Sequence, residues 1–516
     1  MHTLLIIAAL AMGQAPVGNF LPRPEYQTYA TKTYYVQPDG GSDSNDCTSL
    51  LTQCKTPHAV VARWPRFLRH NIAVNVAAGG DTFTTPLSLD GLEMAPGVSV
   101  TFKGDTNWST VTPPSGSATG TLTGVTAISF PNKYILTDSS QSWPAFGRTA
   151  NSLAMRGRFV CFTSGAAVGG KYPIVGHSAT TLELATAPSP APSAGTTYTL
   201  CTPSTTWTVA PSVGQVARVR NGNGLVVFND IAFLGTGPNT VSVGGLLRLA
   251  NNDTPTVKST LINVTVARGY FFSQNDFVPL VEGVGVGTLA INNSSLAGQT
   301  QTSAGTSGSN STISYGSSTN ANGDSRLTLT GVYLRCQRNI ATINNTALGL
   351  SGVFFDTEQI NATSAVHLIS CTATVANTWV YNSYPNQTNL SGIVARNGTT
   401  ISLTGNMSID GFLTGLDFAS LDGQSRFRSF GGALFSGTAT AGTAQLRISN
   451  SSLPTAAGVK LDTGNVINWN GTYTATGIAD GGRAWVCPDG TTAYTDAQVT
   501  GAAGSIVQCG GATIQR

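Results

Sequence analysis

A six-residue pattern recurs between about Leu225 and Leu453 and limits what this chain can fold into: apolar, any, Asn/Asp/Gly, any, any, apolar. It first reads Phe228-Asn229-Asp230-Ile231-Ala232-Phe233, then returns around Asn263, Asn293, Gly331, Gly352, Gly432 and Asn450, with weaker copies at Cys371 and Gly405. The spacing, roughly 20 to 35 residues, is that of a coiled repeat in which each turn buries its apolar face against the next. Asn, Asp and Gly suit the polar position because they accept left-handed backbone geometry at low cost, so each copy reads as a corner between short strands. We take Asp230, Asn263, Asn293, Gly331, Gly352, Gly432 and Asn450 as successive corners of one solenoid, with Asn side chains able to hydrogen-bond along the stack.

Composition narrows the class to all-β. Only 10% of residues are charged, the net charge is +3 and Gly numbers 59, while short Val/Ile/Leu/Phe runs are frequent. A long helical chain would need Glu, Lys, Ala and Leu in helical periods, and a disordered one would lack the apolar runs. Lys and Arg are scattered, which excludes nucleic acid as a partner, because phosphate binding needs them clustered.

The apolar run Leu4 to Met12 is too short to span a bilayer, and with Gly13 and Ala15 after it residues 1–15 read as a secretory signal or as an apolar arm that packs on a partner. No other segment is apolar enough for a membrane span. The eight cysteines fall into four sequence-adjacent pairs: Cys47 with Cys54, Cys161 with Cys201, Cys336 with Cys371, and Cys487 with Cys509. Such pairs suit disulfides closing local loops in an oxidising compartment, the alternative being buried free thiols.

Residues 16–114 hold an irregular arm to Lys32, a strand at Tyr34 to Val36 running into the turn Gln37 to Asp46, a short helix over Thr56 to Trp64, and strands at Ile72 to Ala77 and Val98 to Lys103. A short amphipathic helix ahead of the first coil would cover the open end of a solenoid. The run Tyr34 to Cys47, the helix after Thr56-Pro57 and the strand Ile72 to Phe83 together resemble the N-terminal lead-in of secreted and phage-borne right-handed parallel β-helix proteins of the pectate-lyase-like superfamily. The resemblance covers residues 33–104 and implies that fold and an envelope or virion setting; by itself it says nothing about catalysis.

Residues 115–203 break the coil pattern with short strands near Leu136, Met155 to Val160, Tyr172 to His177, Thr180 to Leu184 and Thr197 to Leu200. Thr137-Asp138-Ser139 with Ser142-Trp143, then Gly157-Arg158-Phe159-Val160, is similar to the small β-module that interrupts many tailspike-like and surface β-helix proteins. We expect an inserted barrel-like module closed by Cys161 and Cys201. The coils then occupy 204–464, with a flexible Ser/Thr/Gly-rich loop from Gln299 to Asn322, and 465–516 form a C-terminal cap or oligomerisation tip.

No G-x-S-x-G elbow, P-loop, HExxH or metal-binding cysteine cluster is present, and no cofactor is expected. Polysaccharide chemistry on such a scaffold asks for carboxylates displayed on one long face. The candidates are Asp356, Glu358, Asp410, Asp417 and Asp422, with Arg426 and Arg428; Asp410-Gly411 and Asp422-Gly423 read equally as turn dipeptides. The paired Asp-Asp and Gly-His-Gly of polygalacturonase-like enzymes and the pectate-lyase calcium cluster are absent. Thr378 to Asn386 concentrates Trp379, Tyr381 and Tyr384 beside Asn382, which suits stacking on sugar rings and hydrogen bonding to hydroxyls, or else covers the solenoid wall. Three functions follow: a secreted, cell-surface or virion scaffold that binds polysaccharide without turnover, a depolymerase of hydrolase or lyase type, and a stiff spacer. A homotrimer is among the assemblies open to it.

Overall fold

The structure, a computed structural model, describes residues 30–417 apart from 66, 130–131, 145–154, 210–212, 221, 236–244, 251–261, 274–278, 285–286, 299–311, 317–324, 337–340, 358–363, 383–390, 397–398, 405–406 and 411–413. Beyond 417 it describes the backbone of short strands between Leu434 and Gln515. Three long parallel sheets of 14, 11 and 12 strands run side by side, and the chain visits them in that order in every coil. One coil is Gly224–Asn229, Ile231–Gly235 and Leu247–Ala250; the next begins with Ile262–Ala267, which pairs in parallel register on the first. This is a right-handed parallel β-helix, the hand that right-twisted strands impose on parallel crossovers.

Side chains alternate along each strand, so every second residue enters the interior. Val226, Phe228, Val266, Leu289, Ile291, Leu327 and Leu329 are fully buried there. The early coils stack aromatics, with Phe102 on Phe228 at 5.4 Å and Phe233 on Phe271 at 4.6 Å between ring centroids, and later coils are aliphatic.

Corners between the 14- and 11-stranded sheets hold one left-handed residue each: Asp230 (φ 59), Arg268 (53), Asn293 (46), Gly331 (63), Gly352 (61) and Asn377 (48). The N–H groups of the first five bond the next coil, as from Asn293 to Thr330 O at 2.8 Å and from Gly331 to Ser351 O at 2.9 Å, so the described ladder runs through the main chain. Asn263 is not a corner: it sits inside Ile262–Ala267, paired with Leu225 and Thr288, and Arg268 turns the chain instead. Arg268 is held there by a bidentate pair to Asp230 of the preceding corner, at 2.8 and 2.7 Å, which no one-dimensional pattern reveals. The copy near Cys371 belongs to a second kind of corner, between the 12- and 14-stranded sheets, turned by Asn345 (φ 45) and Ser370 (φ 53). Gly405, Gly432 and Asn450 lie outside the described residues.

Two stretches read as irregular are coil. Ile313–Tyr315, inside the Ser/Thr/Gly-rich segment, is a strand of the 12-stranded sheet whose Ile313 and Tyr315 enter the core. Past 464 the ladder continues for another coil, Val466–Trp469, Thr472–Thr476 and Arg483–Val486, before Ile506–Cys509 turns back on Ala512–Gln515.

At the N-terminal end Lys32–Val36 pairs with Ile72–Val76, and the helix Pro57–Val61 packs with Pro57 and Val60 buried. Thr56 caps the helix by accepting from Ala59 N, and Asp43 accepts from the N–H groups of Lys55 and Thr56 at 2.9 and 2.8 Å. Disulfides join Cys47 to Cys54 and Cys161 to Cys201. The expected bond from Cys336 to Cys371 is absent: Cys371 is a free, buried thiol donating to Ile343 O at 3.1 Å, and burial pushes its pKa up to about 11. Cys487 lies outside the described residues, and of Cys509 only the backbone is described.

The inserted module replaces a single corner. It leaves the coil after Ser99–Lys103, returns at Thr205–Val209, and forms an eight-stranded antiparallel sheet beginning at Ser109–Thr110, earlier than the sequence suggests. Its own core gathers Leu136, Trp143, Phe162, Ile174, Leu184 and Tyr198. Met155 to Gly157, read as the start of a strand, is a turn. No helix among the described residues is long and apolar enough to cross a membrane.

Candidate functional site

The outward side chains of the 11-stranded sheet change character along the solenoid. The first two coils present Gly80 and Thr82, then Thr206 and Thr208. From the third coil the same two columns carry Ala232 and Leu234, Tyr270 and Phe272, Ser295 and Ala297, Tyr333 and Arg335, Phe354 and Asp356, and Trp379 and Tyr381. In the ninth coil Ser408 stands in register beside Trp379, and it is buried. The aromatic stretch is where the module lies against the coil. Phe159 and Cys201 of the module pack on Ala232 and Tyr270, and Val175 and Ala185 pack on Tyr333 and Phe354.

Four cations of the module meet this face. Arg158 stands over the Tyr270 ring at 5.3 Å. Lys171 reaches Asp230 at 3.4 Å while lying 4.5 Å from the Trp108 centroid, and burial lowers its pKa despite the carboxylate. Arg156 pairs with Asp356 at 2.5 Å, both side chains essentially inaccessible, and Tyr333 donates to the same Asp356 oxygen at 2.8 Å. Lys133 lies 3.3 Å over the Trp379 ring and 2.6 Å from Glu183. The corner glycines belong to this contact too. A Cβ at Gly352 would overlap Thr186 of the module, and one at Gly331 would overlap Asn293 Oδ1 of the preceding corner first and sit 3.2 Å from the Thr186 hydroxyl. Glycine there serves the turn and lets the module approach.

The sequence candidates are redistributed accordingly. Asp356 is not displayed on an open face: the module covers it and Arg156 pairs with it. Thr378–Asn382 is a strand rather than a loop, because its alternation places Thr378, Val380 and Asn382 inward. Asn382 is therefore buried in the solenoid and cannot reach a surface ligand. Trp379 and Tyr381 point outward and stay partly exposed, 5.4 Å apart at the module's far edge. Glu358, Tyr384, Asp422, Arg426 and Arg428 lie outside the described residues, and of Asp410 and Asp417 only the backbone is described, Asp410 standing in register beside Tyr381.

The seam thus assembles two half-exposed aromatics from the coil with Lys133 and Glu183 from the module, residues about 200 positions apart that sequence reading did not join. Lys133 and Glu183 carry no motif. Such a surface can stack an apolar sugar face and hydrogen-bond its hydroxyls. Among the described residues no group of His, Cys, Asp and Glu is arranged to hold a metal ion.

The fold and seam define a right-handed parallel β-helix with a docked antiparallel module. No family model matches the sequence, and no curated protein matches it. Among solved structures it is similar to the Gp54 tailspike of Acinetobacter baumannii bacteriophage AP22 in complex with capsular saccharide, at 10% identity over 81% of this chain and 72% of that chain, with a TM-score of 0.22. It is also similar to the GH136 lacto-N-biosidase from Eubacterium ramulus, at 9% identity over 88% and 67% of the two chains, TM-score 0.31. The XylC complex with xylose gives 9% over 73% and 69%, TM-score 0.30. Likeness at this level assigns no residue a role.

Proposed function

We propose that this chain is a secreted, cell-surface or virion-surface scaffold that binds polysaccharide and does not turn it over. The observation that carries this reading is the pairing of partly exposed Trp379 and Tyr381 with the Lys133–Glu183 pair at the module's edge. Burial of Asp356 against Arg156 counts against a displayed catalytic carboxylate in the same place, since a general acid or base must reach its proton. The two closed disulfides suit an oxidising setting outside the cytosol. The test is to incubate the chain with capsular and cell-wall polysaccharides, measuring retention on each polymer and release of reducing ends or unsaturated sugars. Retention without products is the expected result. Products would establish the depolymerase instead, and neither retention nor products would leave the spacer.

A further inference from the structure

We infer that the seam takes an uncharged pyranose with adjacent hydroxyls, and that Glu183 sets this preference over acidic sugars. The inference rests on the glycan-binding reading above and names its ligand class. Lys133 lies over the partly exposed Trp379 ring at 3.3 Å, and its charge is already answered by Glu183 Oε2 at 2.6 Å. A uronate or sulfated sugar would have to displace that carboxylate, exchanging one charged partner for another with no net gain. A neutral sugar leaves the pair intact.

Glu183 is held for this task by the local backbone. It belongs to Thr181–Leu184, paired with Lys171–His177 across a bulge between Ile174 and Gly176. Its side chain lies across Gly176, where a Cβ would overlap Oε2, so the missing side chain at that position gives the carboxylate its place beside Lys133. The Glu183 side chain is 23% exposed. Its second oxygen, Oε1, accepts no hydrogen bond from the described residues and is available to sugar hydroxyls. Lys133 occupies one face of the Trp379 indole, and the partly exposed Tyr381 ring, 5.4 Å from it, is the second aromatic surface offered to the C–H face of a pyranose. Module and coil are both needed: one supplies the acceptor, the other the ring.

Isothermal titration of the full chain with neutral polymers (dextran, galactomannan) and uronates (polygalacturonate, alginate) tests this, comparing wild type with E183Q and Y381A. Wild type is expected to bind a neutral polymer and neither uronate. Y381A should lose affinity about tenfold or more, and E183Q about tenfold for the neutral polymer, as for a lost hydrogen bond to a charged acceptor. E183Q should also gain uronate binding, because the carboxylate that answers Lys133 at 2.6 Å is then neutral. If either variant unfolds, G176A, which pushes Glu183 from its place, is expected to act as E183Q. Wild-type preference for a uronate, or unchanged affinity in the folded variants, would overturn the inference and leave the glycan reading standing. Absence of binding to every polymer would overturn both.

Discussion

Two faces of one solenoid solve the problem of outward side chains differently. On the 12-stranded sheet, Arg218 and Arg220 share Asp90 at 2.6 and 3.1 Å, and Arg248 meets Glu282 at 3.1 Å, all with side chains 21–29% exposed. On the 11-stranded sheet, the pair between Arg156 and Asp356 is sealed between module and coil, and aromatics surround it. The first kind of pair is screened by water and stabilises little, whereas breaking the second strands a buried charge. The module also changes how the array is coupled. A solenoid coil ordinarily contacts only its neighbours, yet this insertion, anchored at the second coil, touches coils three through eight.

The sharpest way to break the comparison is Arg156→Met. It leaves Asp356 buried without its cation and should destabilise the protein by about 3–5 kcal/mol, with the double change R156M/D356L recovering most of that. Urea unfolding followed by far-UV circular dichroism measures it; a single variant within about 1 kcal/mol of wild type would show that the module does not depend on this pair.

Gly352→Val comes next. It places a β-branched residue at φ 61 and drives it into Thr186, so a loss of about 3 kcal/mol is expected. Gly349→Ala is the control, since a Cβ there meets Thr328 at an ordinary 3.6 Å and the stability should hold. Equal behaviour of the two variants would mean that the module does not press on the corners.

A third test contrasts Asp356 with a carboxylate that has no ion pair among the described residues. Asp81 faces inward beside Trp207 in the first coil, and its Oδ2 has no hydrogen-bond partner. Burial raises its pKa, with His58 and Lys55 of the cap opposing and Asp43 adding to the rise. A carboxylate with a raised folded pKa contributes stability that is complete below its unfolded pKa of about 3.9 and is lost as pH rises through the folded value. Asp81→Asn should therefore raise the thermal midpoint at pH 7 and leave it unchanged near pH 3. A gain of equal size at both pH values would point to packing rather than charge.

The smallest effect belongs to the open face. Arg248→Ala should lose less than about 1 kcal/mol, and less still in high salt. A loss approaching that of R156M would erase the distinction between the faces.

Much of the coil was legible beforehand because it is local: period-two alternation selects the inward residues, and a left-handed corner favours Gly, Asn or Asp. Legibility failed where a distant residue changed the local rule. Arg268 turns a corner because Asp230 of the preceding coil holds its guanidinium. Ile313–Tyr315 became a strand within a polar stretch because the ladder on either side offered it partners. At the candidate site, Trp379 and Tyr381 were visible as an aromatic cluster, but their partners Lys133 and Glu183 were not, since no spacing links the module to the eighth coil.

The sequence by itself determined an all-β solenoid, its corner chemistry at Asp230, Asn293, Gly331 and Gly352, the capping helix, and the presence of an inserted antiparallel module, since each follows from the conformational preferences of a few neighbouring residues. Only the tertiary structure decided what the outward aromatics and carboxylates do. Outward residues on a strand are specified by whatever covers them, and here that cover is folded from a segment roughly 200 residues away, so Asp356 became an anchor, Asn382 part of the core, and Trp379 with Tyr381 the exposed edge of a shared seam.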